Sequence, residues 1–308
     1  MKRFFKQIKE KLRVSQITAP QRLILEPSSI CNFMCPKCLY PVMKREKQFI
    51  DLAALERFLL SWKSVFGGFR DVEFTGSGEV LANNNFLSIV KMFTTIMPES
   101  RLMTTSNLAL LNKGIASDLI ASGLRFWQVS FDSANELEFN AFTGSNSFQR
   151  VVDNIKILYE TMIQDGDKRN YLRIVAHRPY DELYQAEIKK IRELLRDQCH
   201  EIIDSPYQSL NGRLDGDMYN VSEIIKYDRS KRPILCNYLW KDLVVVANGD
   251  VRVCCSDMFD SKVDFGNIFR ESPRELVGNL NRAAYKKALW DGKPQELYLC
   301  NKCHAPYS

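Results

Sequence analysis

The chain has 308 residues, 45% hydrophobic and 26% charged, enough for one large domain plus a small one. Its 43 basic and 37 acidic residues leave a net charge of +6 with both signs interspersed, and no basic run is interleaved with aromatics; this argues against nucleic acid as a partner and leaves anionic small ligands open. An aromatic content of 11% argues against disorder, and no apolar stretch approaches the ~20 residues that span a bilayer.

The N-terminal "MKRFFKQIKEKLRV" is basic, with Phe4, Phe5, Ile8 and Leu12 near helical spacing. It reads as a short helix packed on the domain, with contact to an anionic membrane surface as the alternative. It lacks the continuous apolar core of a signal peptide, so a cytoplasmic protein is expected, whose nine cysteines are reduced thiols.

From residue 22 two periodicities alternate. "RLILEP" (22–27) predicts a buried strand closed by proline, and "LAALERFLLSWKSVF" (52–66) a helix capped by Asp51. Strands are predicted at 71–76, 101–106, 125–133, 171–177 and 201–206, with helices at 85–97, 112–123, 147–163 and 180–197 between them. Such β-then-α units predict an α/β fold with parallel strands and right-handed crossovers. Six units are too few for a closed eight-stranded barrel, so a partial (β/α)6 TIM-like barrel is expected, with its chemistry at the C-terminal strand ends. Beyond residue 210 the rhythm breaks. "LVVVANGDVRVCC" (243–255) predicts a hairpin turning at Asn248-Gly249, where both residues accept positive φ. The short helical patterns "SPRELVGN" and "NRAAYKKALW" follow, and the chain closes on "LCNKCH". The expected division is a basic extension over 1–21, the barrel over 22–232 and a small cysteine-bearing appendage over 233–308.

"SSICNFMCPKCLY" (28–40) holds Cys31, Cys35 and Cys38 just after the first strand, where a barrel carries its ligand loops. Three thiolates can hold three irons of a [4Fe–4S] cluster and leave the fourth iron for a small molecule. Structural zinc asks for four protein ligands, and no nearby His or Cys supplies the fourth.

C-x3-C-x2-C in this place resembles the signature of radical S-adenosylmethionine enzymes, and the resemblance extends over nearly the whole chain. "LEPSSICN" resembles the family's approach to this loop. "FTGSGE" resembles the glycine-rich motif that binds the methionine moiety, which implies Gly76, Ser77 and Gly78 as backbone contacts, with Ser77 replacing a usual glycine and Glu79 in the motif's acidic position. Ser106 and Asn107 of "TTSN" are implied as polar contacts, and Ser130 and Asp132 of "VSFDS" as residues reaching the ribose. Arg173 meets the cofactor's carboxylate or serves as a structural ion-pair partner. Lys37 departs from the pattern, since the residue before the third cysteine is usually aromatic or apolar and lies against adenine. Its backbone keeps that contact, or Phe33 or Tyr40 takes over the packing. The implied cofactors are S-adenosylmethionine and a cluster that, when reduced by a donor such as flavodoxin or ferredoxin, cleaves it to a 5′-deoxyadenosyl radical able to remove hydrogen from an unactivated C–H bond.

Cys236, Cys254, Cys300 and Cys303 resemble the four-cysteine set of the shortened SPASM, or Twitch, appendage, which implies a second, auxiliary [4Fe–4S] cluster; structural zinc is the alternative. Cys255 adjoins Cys254 and, in a strand, faces the other way. It is packing filler or a hydrogen-atom donor to a substrate radical. Cys199 reads as an inert thiol, and His304 as a solvent-facing terminal residue.

The architecture resembles sugar and aminocyclitol dehydrogenases and epimerases, which implies a small polar substrate. Oxidation needs a base for the hydroxyl proton; Arg213 in "LNGRLDGD" is a candidate, though arginine is a poor unaided base. Epimerisation needs a thiol on the opposite face, for which Cys255 is the candidate. Peptide or protein modification is a second class; only about 21 residues precede the first strand, too short for a peptide-recognition domain. A non-catalytic iron–sulfur or zinc protein is the third.

Overall fold

The computed structural model describes residues 19–178, 182–206, 236–301 and 303. The N-terminal basic segment, Arg213, His304 and the expected boundary at 232/233 lie outside the described residues.

Six parallel strands form in chain order: β1 (Arg22–Leu25), β2 (Asp71–Phe74), β3 (Arg101–Ser106), β4 (Leu124–Ser130), β5 (Tyr171–Arg178) and β6 (Glu201–Pro206). Helices α1 (Leu52–Phe66), α2 (Phe86–Ile96), α3 (Lys113–Ala121), α4 (Glu136–Thr143), α5 (Phe148–Asp165) and α6 (Tyr184–Leu194) alternate with them. This is the partial barrel that the alternating periodicity predicts. Asp51 caps α1 as expected, accepting the Ala54 amide at 2.7 Å, and Gly67 ends it with φ 84°. Helix α4 is an element the periodicity does not announce.

The hairpin is less separate than the sequence suggests. Its first strand, β7 (Asp242–Val245), pairs in parallel with β1, and β8 (Val251–Arg252) pairs antiparallel with β7, giving the sheet order β6-β5-β4-β3-β2-β1-β7-β8. Val244 stands beside Ile24 in register, so the same apolar alternation serves both strands. The turn also differs from expectation. Gly249 alone takes positive φ (85°), and its amide bonds the Val246 carbonyl at 2.8 Å, so the glycine follows the turn rather than sharing its centre with Asn248. Short helices α7 (Asn237–Lys241) and α8 (Pro273–Val277), and α9 (Leu280–Trp290), complete the appendage.

One face of the sheet joins the main core. Leu23, Leu25, Val72 and Phe74 gather with Leu55, Phe58 and Trp62 of α1 and Ile89 and Phe93 of α2. The other face carries a smaller cluster of Ile24, Val244, Val246 and Met258, against which Cys255 packs. No described helix is long and apolar enough to cross a membrane.

Candidate active site

The loop after β1 is held by its own hydrogen bonds. Ser29 exchanges backbone and hydroxyl bonds with Gln48 at 2.7–3.0 Å, and the Tyr40 hydroxyl accepts the Cys31 amide at 3.0 Å. The thiols already receive amide hydrogens, Cys31 Sγ from Phe33 at 3.4 Å and Cys38 Sγ from Tyr40 at 3.3 Å. Helix α4 props the loop from outside. The Met34 amide bonds the Thr143 carbonyl at 3.1 Å, and Gly144 (φ 61°) leaves room for the Met34 carbonyl, which a Cβ would approach to 2.8 Å.

Cys31, Cys35 and Cys38 open onto one cavity of about 380 Å³, shared with Phe33, Lys37, Thr75, Gly76, Ser77, Gly78, Glu79, Thr105, Ser106, Asn107, Ser130, Asp132, Thr143, His177 and Phe259. Every expected cofactor contact except Arg173 is thus brought to one place. Thr75, Thr105, Thr143, His177 and Phe259 join them. Phe259 comes from the appendage and packs with Leu39, Tyr40 and Met43 beside the loop.

The glycines of TGSGE answer to the protein itself. A Cβ on Gly76 would stand 2.3 Å from Glu26 Cγ, and one on Gly78 would stand 2.5 Å from the Ser28 carbonyl oxygen. Glu26, fully buried at the end of β1, is a residue the sequence reading passed over. Its Oε1 accepts the Ser77 amide at 2.8 Å and Arg45 Nη2 at 2.9 Å, while its Oε2 accepts the Ala247 amide at 2.8 Å. Arg45 goes on to the Met258 and Phe259 carbonyls at 2.8 and 3.1 Å, tying loop, barrel and appendage together.

Glu79 is also buried and organises the next strand end. It accepts the Ser106 hydroxyl at 2.6 Å and the Asn107 and Leu81 amides at 2.8 and 3.1 Å. Burial pushes its carboxyl above the usual range, against the pull of those three bonds. Ser106 and Asn107 therefore support Glu79 as well as lining the cavity.

Three readings near the adenine position resolve differently. Phe33 lines the cavity; Tyr40 does not, since its ring lies against Lys47 Nζ (3.9 Å) and its hydroxyl serves the Cys31 backbone. The Lys37 ammonium reaches across to Asp132 and donates to the His177 carbonyl at 3.3 Å. Arg173 is off the cavity: it sits near the start of β5, whereas the cavity lies at strand ends, and it bonds Glu201 Oε2 at 2.6 Å beside the Phe126 ring. Its geometry is that of the ion-pair partner.

In the appendage Cys236 immediately precedes α7. Cys254 is half-buried near Cys300 and Asp257, and Cys300 is near Cys303 and Cys236. The Cys303 amide bonds the Cys300 carbonyl at 3.2 Å. Cys255 keeps other company: Glu73, Asp242 and Arg22. Arg22 holds Asp242 through two bonds at 2.6 and 3.1 Å and stands 3.7 Å from Glu73. Burial raises the Glu73 carboxyl and pushes the Cys255 thiol up to about 11. Cys199 belongs to neither set; burial pushes its thiol up to about 11, beside a separate cleft of about 410 Å³ along α6 and β6.

Burial pushes Cys31 and Cys35 up to about 12, so metal must displace their protons. Among the described residues no three donors converge on a single-ion position. Three cysteine thiols opening on one cavity are a donor set that suits an iron–sulfur cluster.

A family model described as "Radical SAM superfamily" matches residues 25–195, and one described as "Iron-sulfur cluster-binding domain" (SPASM) matches residues 236–304. GTP 3′,8-cyclase of Psychromonas ingrahamii is 30% identical over 135 residues, which are 43% of this chain and 39% of that protein, so the match spans about two fifths of the relative's length. Among solved structures, BtrN in complex with AdoMet and 2-DOIA superposes with a TM-score of 0.61 at 20% identity, covering 93% of each chain. SuiB of Streptococcus suis bound to precursor peptide SuiA gives 0.67 at 14% identity, covering 91% of this chain and 70% of that one. These two are likenesses of fold. The cofactors are S-adenosylmethionine and two [4Fe–4S] clusters, and the chain belongs to the radical SAM superfamily.

Proposed function

We propose that the protein removes a hydrogen atom from a C–H bond of a small polar substrate, a sugar, an aminocyclitol or a molecule like them, and that Cys255 returns one from the opposite face, giving epimerisation; the thiyl left on Cys255 would take back one electron from the auxiliary cluster, re-reduced by the same external donor, and one proton from solvent. Cys31, Cys35 and Cys38 would hold the cluster that binds S-adenosylmethionine, and Cys236, Cys254, Cys300 and Cys303 the auxiliary one. The cofactor would lie along Gly76, Ser77, Gly78 and Glu79, with Ser106, Asn107, Ser130 and Asp132 as polar contacts. When bound, these groups supply one-electron cleavage of the sulfonium, the electron coming from a donor such as flavodoxin or ferredoxin, and with it a hydrogen-abstracting adenosyl radical.

The observation that carries the reading is the position of Cys255. It is half-buried next to Cys254, on the sheet face of Ile24 and Val244, with Glu73, Asp242 and Arg22 as its other neighbours. Ile24 is in register with Glu73, and Thr75, two residues further along the chain, lines the cavity, so this face lies about 6.6 Å below the cofactor contacts. Arg22 and Asp242, at the starts of β1 and β7, and Glu73 of β2 are the polar groups beside Cys255.

Dehydrogenation is the second reading. The apolar nest of Ile24, Val244, Val246 and Met258 would make Cys255 a filler, and the four-thiol auxiliary set would accept the second electron.

Turnover in deuterated water separates the readings. Epimerisation gives product one mass unit heavier, and Cys255→Ala abolishes that product while S-adenosylmethionine is still cleaved. Oxidation gives a carbonyl product two mass units lighter, indifferent to the substitution. Binding of a leader peptide in place of small substrates would overturn both.

A further inference from the structure

Lys37 stands between two of the three loop cysteines, one residue before Cys38 and two after Cys35. The side chain crosses from the loop after β1 to the ends of β4 and β5. Its ammonium meets Asp132 Oδ2 and the His177 carbonyl, at 3.3 Å, while the other oxygen of Asp132 accepts the His177 amide at 2.9 Å. Lys37 is 16% exposed and Asp132 4%, so the pair is sheltered from solvent screening.

Two charges of opposite sign so near a redox centre need not cancel, because the nearer one dominates. Asp132 is held from the β5 side, where its Oδ1 accepts the His177 amide, and the Lys37 side chain reaches it from the cysteine loop itself. The ammonium is therefore the charge on the loop's side of the pair. Reduction adds an electron to a cluster already ringed by thiolates, and a fixed cation beside them favours that added charge.

We propose that Lys37, anchored by Asp132 and the His177 carbonyl, raises the reduction potential of the cluster held by Cys31, Cys35 and Cys38, and that Asp132 trims the effect. The inference rests on the assignment of those cysteines to the cluster. It makes Lys37 a positioning residue, one that acts through its charge on the cofactor rather than on the substrate.

The test is an EPR-monitored redox titration of the full chain reconstituted with both clusters, following the signal that responds to S-adenosylmethionine. Lys37→Met should lower the reduced fraction at a fixed poise about tenfold, a shift of about 59 mV to more negative potential. Lys37→Arg should titrate like wild type, and Asp132→Asn should shift the opposite way. Shifts of opposite sign from the two partners are not what local disorder would produce. Potentials unchanged in Lys37→Met and Asp132→Asn, or moved in the same direction, would overturn the inference. If Lys37→Met does not assemble its cluster, Asp132→Asn decides: a shift to less negative potential supports the proposal, and any other result ends it. Loss of the responding signal from wild type itself would overturn the cysteine assignment instead.

Discussion

Glu26 Oε1 accepts Arg45 Nη2 at 2.9 Å, with both side chains buried. The pair joins the end of β1 to the loop that carries the cysteines and, through the Met258 and Phe259 carbonyls, to the appendage. Glu26→Ala would leave a buried guanidinium and the Ser77 and Ala247 amides without their acceptor. Breaking such a pair costs about 3–5 kcal/mol, and chemical denaturation should show a loss of that size. Arg45→Met should cost a comparable amount, and the double substitution less than the sum of the two, because each single change already removes the shared interaction.

Gly78→Ala tests the close approach of the two loops. Its Cβ would stand 2.5 Å from the Ser28 carbonyl and 2.6 Å from the Ile30 amide nitrogen, both backbone atoms that cannot swing aside. The expected outcome is a stability loss of about 1–3 kcal/mol with S-adenosylmethionine affinity lowered at least tenfold by equilibrium binding. Ordinary affinity would show that the loops separate without consequence for the cavity.

Glu79 gives a pH dependence with a definite sign. Its carboxyl is raised in the folded protein by burial, so the folded state holds the proton more tightly than the unfolded chain. The stability it contributes is fully present below the ordinary glutamate range, ~4.3, and is lost as pH rises through the folded value. The stability of wild type relative to Glu79→Gln should therefore decline from mildly acid to neutral buffers. A difference that grows with pH would contradict the placement of Glu79.

Arg173 should be dispensable for the cofactor. Its partner Glu201 is about as exposed as it is, and such pairs contribute about 0–1 kcal/mol. Arg173→Ala should leave S-adenosylmethionine affinity within twofold of wild type by equilibrium binding. A tenfold loss would restore the carboxylate-binding role that the sequence left open.

The barrel strands were legible because local chemistry marks them. "RLMTTS" and "EIIDSP" form β3 and β6 over the same residues, each a β-rich run closed by Ser or Pro. Helix α4 was not, because its apolar periodicity is weak; the available signals were Asn135 as cap, Glu136 and Glu138 in the first turn, and Gly144 at the end. Cysteine spacing identified the site, yet Glu26 and Phe259 were invisible. Their roles depend on pairings across 19 to 221 residues, which no local pattern records. Arg173 stayed open between two roles for a related reason: its strand is legible, but its distance from the strand's end decides whether it reaches the cavity. The parallel pairing of β7 with β1 was equally hidden, since a hairpin signal says nothing of the neighbour its first strand will find.

The central claim is a cluster held by three cysteines whose fourth iron takes S-adenosylmethionine. EPR of the anaerobically reconstituted, reduced protein before and after adding that cofactor tests it most directly. One of two cluster signals should change on addition, and Cys38→Ala should lose that signal while keeping the other. Two signals indifferent to S-adenosylmethionine, or a responding signal that survives Cys38→Ala, would contradict it.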